Sequence, residues 1–308
     1  MMIPGRAWIR LLLLALTIST QAQAAERVVI IVLDGLRASE GFDDPEHRFI
    51  PRMALDLAPQ GALARACDNN GLTITIPGHA AIGSGRYQNL PDDGTVRSIF
   101  PLLWEYYRDQ TSAPGRSTVI PTTKGKIKAL SHSSWSTYGA PDSARIIGPT
   151  WDDEVTTAEF LHDMAVNRPV VSLLNFGSID GAAHTQNWDG YTRQIAVADS
   201  CVALIWQEIQ ADPVFRGRTD LIVTGDHGRH ADGYGAWHEH GDGCPGCRRI
   251  PLLALGPDFR DGFVSWTPCE QVDICKTLGA ALGVAVPYAG GRVMTELLEP
   301  PPAGIGDD

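Results

Sequence analysis

The chain has 308 residues, of which 44% are hydrophobic, and a formal net charge of −11 at pH 7. That length and apolar content are enough for a full core, arranged as one large domain or two small ones. The acidic balance and the absence of a basic tract argue against nucleic acid or an anionic membrane surface as partner.

The first residues carry Arg6 and Arg10, then an apolar run from Leu11 to Ile18, then small and polar residues up to Ala24. This is the pattern of a cleavable secretory signal peptide. The run is well short of the ~20 residues of a membrane span. Residues 1–24 are therefore expected to be removed, with cleavage after Ala24 or Ala25, leaving 25–308 as one domain in the periplasm or outside the cell. There are no repeats, low-complexity tracts or long linkers to divide it.

Residues 27–33, Arg-Val-Val-Ile-Ile-Val-Leu, form a continuous apolar, β-branched run, which predicts a strand buried on both faces, as in a parallel sheet. It ends at Asp34-Gly35. The same pattern recurs at 169–176, which leads to Asp180, and at 219–224, which leads to Gly225-Asp226-His227-Gly228. Ligand sites in open α/β sheets lie outside the carboxyl ends of the strands, so three acids are delivered where chemistry is done. A fourth apolar strand at 250–255 ends in Gly256-Pro257 and carries no such group.

Residues 72–85 read as strand, tight turn and helix, with Pro77 in the first helical turn, where its missing N–H has no partner to lose. Thr75 then falls at or just before the helix N-terminus. There it serves either as a cap or as a nucleophile facing an anion among free backbone N–H groups. Further helices are predicted at 98–108, 153–166, 191–210 and 268–282, the last capped by Thr267. Strands alternating with helices indicate an α/β layered fold. Residues 110–149, rich in Ser, Thr, Gly and Pro, read as loops and short strands.

Six cysteines remain after the leader: Cys67, Cys201, Cys244, Cys247, Cys269 and Cys275. In an exported chain an even count suggests disulfides, with fifteen pairings open for six cysteines. Cys244-Pro245-Gly246-Cys247 has no second CxxC to complete a thiolate zinc site and no thioredoxin-like context, so a loop-stapling disulfide is expected there. Cys201, in an apolar helical pattern, reads as a core thiol.

Asp180 and His184 are four apart and face the same way on one helical turn. Asp226 and His227 are adjacent between glycines that permit a turn. Trp237-His238-Glu239-His240-Gly241-Asp242 adds two imidazoles. With Asp34 this is a mixture of nitrogen and oxygen donors that suits Zn²⁺.

On these residues the chain resembles the alkaline phosphatase superfamily over nearly its whole mature length. The likeness is to the type I phosphodiesterase/nucleotide pyrophosphatase branch and to threonine-nucleophile phosphatases. Leu33-Asp34-Gly35 resembles the first metal aspartate, and Thr75-Ile76-Pro77-Gly78-His79 the Thr-x-Pro-x-His nucleophile segment. Asp180 to His184 resembles the Asp-x-x-x-His pair, Thr224 to Gly228 the Asp-His pair, and His240-Gly241 the last metal histidine. Val272-Asp273-Ile274 with Thr277-Leu278, and Gly291-Arg292-Val293, resemble the closing helix and strand. The resemblance implies an α/β three-layer sandwich with a mostly parallel central sheet flanked by helices. It implies two zinc ions per chain, one held by Asp180, His184 and His240 and the other by Asp34, Asp226 and His227. Thr75 would lie between them as metal-bound nucleophile.

Two departures stand out. Relatives have an asparagine beside or shortly after the nucleophile; here the adjacent position is Gly78, and Asn89 lies farther along. Threonine-type monoesterases have a Lys-x-Arg pair in the middle region, where this chain has Lys124-Gly125-Lys126, and lysine lacks the arginine fork. Lys124 and Lys126 are the expected phosphate contacts. The function implied is an exported two-zinc phosphoester hydrolase working through a phosphothreonine on a small-molecule substrate, with monoesters favoured and a phosphodiesterase or nucleotide pyrophosphatase as alternative. Trp135, Tyr138 and Trp151 are candidates for a diester groove. A sulfatase is disfavoured because Thr75 and His79 replace the Cys/Ser and Arg of that branch. A secreted metal-binding protein without catalysis is the remaining reading.

Overall fold

The computed structural model describes residues 24–300, so the expected leader lies outside the described residues except for Ala24. The described residues form ten strands: β1 (Arg27–Leu33), β2 (Gly61–Ala64), β3 (Cys67–Asp68), β4 (Thr118–Pro121), β5 (Arg145–Ile147), β6 (Val171–Phe176), β7 (Thr219–Thr224), β8 (Leu252–Leu255), β9 (Phe263–Ser265) and β10 (Cys269–Glu270). The α-helices are α1 (Thr75–Ser84), α2 (Leu103–Thr111), α3 (Asp153–Asn167), α4 (Ser178–His184), α5 (Trp188–Ala211), α6 (Pro245–Arg248) and α7 (Asp273–Ala281).

Eight strands form one sheet in the order β5-β4-β6-β1-β7-β8-β2-β9, and β3 pairs with β10 in a small second sheet. In the large sheet β8 alone runs against its neighbours β7 and β2. The strand that precedes each expected acid is therefore one of three adjacent parallel strands, β6, β1 and β7. Their carboxyl ends share one edge, and that edge carries the site.

Successive side chains of a strand point to opposite faces, and β1 shows how this builds two cores. Val28, Ile30 and Val32 pack on the face covered by α1, α2 and α7, with Ile76, Trp104, Ile274 and Leu278. Val29, Ile31 and Leu33 pack on the other face, against Phe160 of α3, Ile179 of α4 and Tyr191, Ile195 and Val202 of α5. Each such side chain, fully buried, contributes ~1.5–3 kcal/mol relative to exposure. The layered α/β expectation is borne out: a mostly parallel sheet lies between two helical layers.

Several local expectations need correction. Residues 72–74 form no strand; Ile74 is extended but unpaired, and α1 starts at Thr75. The helix predicted at 98–108 begins at Leu103, where Glu105 reaches back to accept the Leu102 N–H at 2.8 Å. The helix predicted at 268–282 begins at Asp273, because Cys269 and Glu270 pair with Cys67 and Asp68; Thr267 caps nothing. Residues 291–293 form no strand. The expected disulfides are also absent, all six cysteines being free thiols. Cys201 and Cys275 sit in the separate cores on opposite faces of the sheet, beyond each other's reach.

Candidate metal centre and nucleophile

Asp34 leaves β1, Asp180 sits in the first turn of α4 beyond β6, and Asp226 and His227 leave β7. His227 Nε2 lies 3.7 Å from Asp34 Oδ1 and 3.6 Å from Asp226 Oδ2. These three atoms are buried and have no hydrogen-bond partner. Isolated buried polar atoms are costly, so three that converge on one point fit a cation between them.

The second set converges equally closely. Asp180 Oδ1 is 3.2 Å from His184 Nε2 and 3.6 Å from His240 Nε2, and the two imidazole Nε2 atoms are 3.3 Å apart. The His227 and His240 rings stack at 4.0 Å, which joins the two sets.

Backbone carbonyls fix which ring nitrogen is free. His227 Nδ1 donates to Gly228 O at 2.9 Å and His240 Nδ1 to Thr73 O at 3.0 Å. In each ring the Nε2 lone pair is then left facing the site, the arrangement that orients a metal-ligating histidine. Burial and the neighbouring His227 push His240 down to about 3, so its imidazole is neutral at working pH. Burial opposes ionisation of Asp180 and Asp226. The His184 hydrogen bond, Lys124 and Arg229 outweigh it for Asp180, and His227 and His79 do so for Asp226; both carboxyls are held below the ordinary range. Burial, reinforced by the Asp226 charge, pushes Asp34 up.

Thr75 is the first residue of α1. The backbone N–H of Ile76 that follows it donates to Asp92 Oδ1 at 2.7 Å. Lys124 Nζ is 3.5 Å from the Thr75 hydroxyl and bridges Asp34 and Asp180, at 2.8 and 2.6 Å. This carboxylate pair, against the opposing effect of burial, holds the ammonium more firmly protonated. Lys126 is placed differently: its Nζ pairs with Asp92 Oδ2 at 2.7 Å, so of the two expected lysines only Lys124 meets the threonine.

Asn89 is exposed, and the adjacent position is glycine for a steric reason. A Cβ on Gly78 would stand 2.6 Å from Asp226 O. Trp135 stacks with Phe100 and meets Tyr288 at a tilt, and Tyr138 meets Tyr106 edge-on, both as local packing. Trp151 is 76% exposed and, with Lys124, Gly177 and Gly181, lines a cleft of about 440 Å³ beside the site.

Three residues that hold the site together carry no motif in the sequence. Asn175 of β6 donates to Asp34 Oδ2 and to His79 Nε2, both at 3.0 Å. His79 Nδ1 in turn donates to Thr75 O at 2.9 Å. Arg229, buried, donates from Nε to Gly35 O at 3.0 Å and from its terminal nitrogens to the Asp180 carboxylate and His238 O. Asp92 ties Lys126 to the start of α1. Gly35, at φ +72°, leaves room for Arg229, which a Cβ would crowd at 2.9 Å.

No family model matches the chain. The chain is 25% identical over 276 residues to GPI ethanolamine phosphate transferase 1 of Gibberella zeae, covering 78% of this chain and 27% of that protein. The chain thus spans about a quarter of the length of the curated relatives it matches. Murine ectonucleotide pyrophosphatase / phosphodiesterase 5, solved as an inactive variant with AMP, superposes with a TM-score of 0.66 at 13% identity, over 89% of this chain and 100% of that one. A protein in the alkaline phosphatase superfamily from Vibrio parahaemolyticus gives 0.65 at 15% identity, over 90% and 71%. The fold of this chain is that of the alkaline phosphatase superfamily.

Proposed function

We propose that the chain is an exported phosphoester hydrolase that uses Thr75 as nucleophile between two zinc ions. The observation that carries this is the trio of buried, unpartnered atoms on Asp34, Asp226 and His227, set beside a helix-terminal threonine. Asp34, Asp226 and His227 would hold one ion and Asp180, His184 and His240 the other. Two such ions supply positive charge at the attacking and leaving oxygens and make a hydroxyl acidic enough to ionise near neutral pH. The two sets, which together mix imidazole nitrogens and carboxylate oxygens, suit zinc.

The chain's own residues do the rest. Thr75 Oγ gives its proton to solvent and bonds to phosphorus as the bond from phosphorus to the ester oxygen breaks and that oxygen takes a proton from solvent. Water then attacks the phosphothreonine, the bond from phosphorus to Oγ breaks, and Thr75 recovers its proton. Lys124 offers a cation to a non-bridging oxygen while Asn175 and Arg229 hold Asp34 and Asp180 in place. Export rests on the apolar run of the leader.

The monoester preference rests on Lys124 alone, since Lys126 is engaged by Asp92. A second reading is diester cleavage, or transfer of the phosphoryl group to an alcohol. It is favoured by the cleft along Trp151 and by the activities that the similar proteins' names carry. One experiment tests the core of the proposal. Thr75→Ala should abolish turnover of aryl phosphate monoesters and diesters with metal content and melting temperature nearly unchanged, whereas Thr73→Ala should retain turnover. An active Thr75→Ala enzyme would overturn it.

A further inference from the structure

A second group of metal donors lies outside this centre. His230, Asp242, Cys244 and Cys247 place one nitrogen, one carboxylate oxygen and two sulfurs within 4.8 Å of one another. We propose that these four side chains form a structural zinc site that braces the loop carrying His240.

The chemistry of the set is that of a closed tetrahedral site, in which four protein donors leave no position for substrate. Both thiols are buried and free. They lie at the start and within the single turn of α6, where the Cys247 N–H donates to Cys244 Sγ at 3.4 Å. Backbone N–H groups directed at sulfur stabilise a thiolate as ligand. Both nitrogens of the His230 ring are buried and make no hydrogen bond. Its Nε2 lies 3.2 Å from Asp242 Oδ2, yet the geometry is not that of a donor aimed at an acceptor. Donor atoms that are close but not in line with one another are what a shared cation requires. Asp242 Oδ1 accepts the Cys244 N–H at 3.0 Å, which fixes the carboxylate relative to the thiols.

The backbone is built for this approach. A Cβ on Gly228 would meet Gly246 O at 2.2 Å, and one on Gly246 would meet Arg229 O at 2.4 Å. The segment bearing the histidine and the turn bearing the thiols thus touch through two glycines. His230 follows shortly after His227, and Asp242 shortly after His240. An ion here would pin both ends of the excursion that brings His240 to Asp180. A CxxC alone gave half a site in the sequence; the other half comes from residues that the fold returns to it.

Cobalt substitution tests the proposal, because the catalytic sets contain no sulfur. The full chain loaded with Co²⁺ should show thiolate-to-cobalt charge-transfer absorption in the near ultraviolet. Cys247→Ser should lose that band and one bound ion while keeping the visible bands of the other ions. Should Cys247→Ser fail to fold, the wild-type chain decides. Its Cys244 and Cys247 thiols should resist a thiol reagent until a chelator is added. A Co²⁺ spectrum without thiolate character, or a Cys244–Cys247 disulfide in the purified chain, would overturn the proposal.

Discussion

Gly78 and Asp226 touch through their backbones: a methyl group on Gly78 would lie 2.6 Å from the Asp226 carbonyl oxygen and 2.9 Å from its Cβ. Helix α1 and the loop after β7 are therefore packed at a spacing only glycine allows. Gly78→Ala should push α1 and the loop apart, and misplacement of ~1 Å at a reacting centre costs ~10²-fold in rate. We expect a loss of that order in kcat/KM with the melting temperature lowered by a few degrees. Wild-type kinetics in Gly78→Ala would show that the contact does not set the geometry.

Metal content separates the two three-residue sets. Asp180→Asn and Asp226→Asn should each lower the zinc bound per chain by one ion, measured by elemental analysis of protein prepared without chelator. Asparagine is used because its amide oxygen can still accept the hydrogen bond that Arg229, buried against Asp180, donates, which limits the cost of leaving a buried donor unsatisfied. If Asp226→Asn keeps the full wild-type content, the Asp34 set does not hold an ion.

Lys124 distinguishes the substrate classes. A monoester carries one more negative charge on its non-bridging oxygens than a diester, so it gains more from a nearby cation. Lys124→Ala should reduce kcat/KM for a monoester at least ~10-fold more than for a diester of the same leaving group. Equal losses, or faster wild-type diester hydrolysis, would favour the diesterase reading.

Asp220 predicts a pH dependence unrelated to the site. Burial, reinforced by the charge of Asp258, pushes its carboxyl up to about 9. The unfolded chain ionises this group from about pH 4 upward while the folded chain keeps it protonated, so stability falls as pH rises through that window. Asp220→Asn removes the titration. Its melting temperature should gain on wild type between about pH 5 and about pH 8. Parallel melting curves across that range would show that Asp220 ionises normally in the folded chain.

How much was legible in the sequence follows from range. The acids at 34, 180 and 226 could be read because each follows closely on a buried apolar strand, and a strand's direction fixes where its end lies. Asp180 and His184 could be paired because one helical turn is a local rule. Asn175 could not be found, since a lone polar residue in an apolar strand reads as nothing until β6 is placed beside β1. Arg229 and Asp92 act through partners far away in sequence, and Asp92 is what diverts Lys126. The start of α7 was misplaced for the same reason: the pairing of β10 with β3 joins residues some two hundred apart, and no local pattern announces it.

The direction of β8 has a consequence for how this fold can vary. Because β8 enters the sheet from the site edge, the connection from β7 leaves and returns at neighbouring points. It carries Asp226, His227, Arg229 and His240 on the way, and its tip at 231–236 is exposed. The ends are held by adjacent strands, ~5 Å apart, and doubling the length of such a closed loop costs only ~0.6 kcal/mol in closure entropy. Insertions at the tip can therefore build a new wall over the candidate metal centre while the sheet and the six candidate ligands stay where they are. If the proposed function holds, its substrate range is open to change by lengthening one hairpin, with the site beneath it left intact.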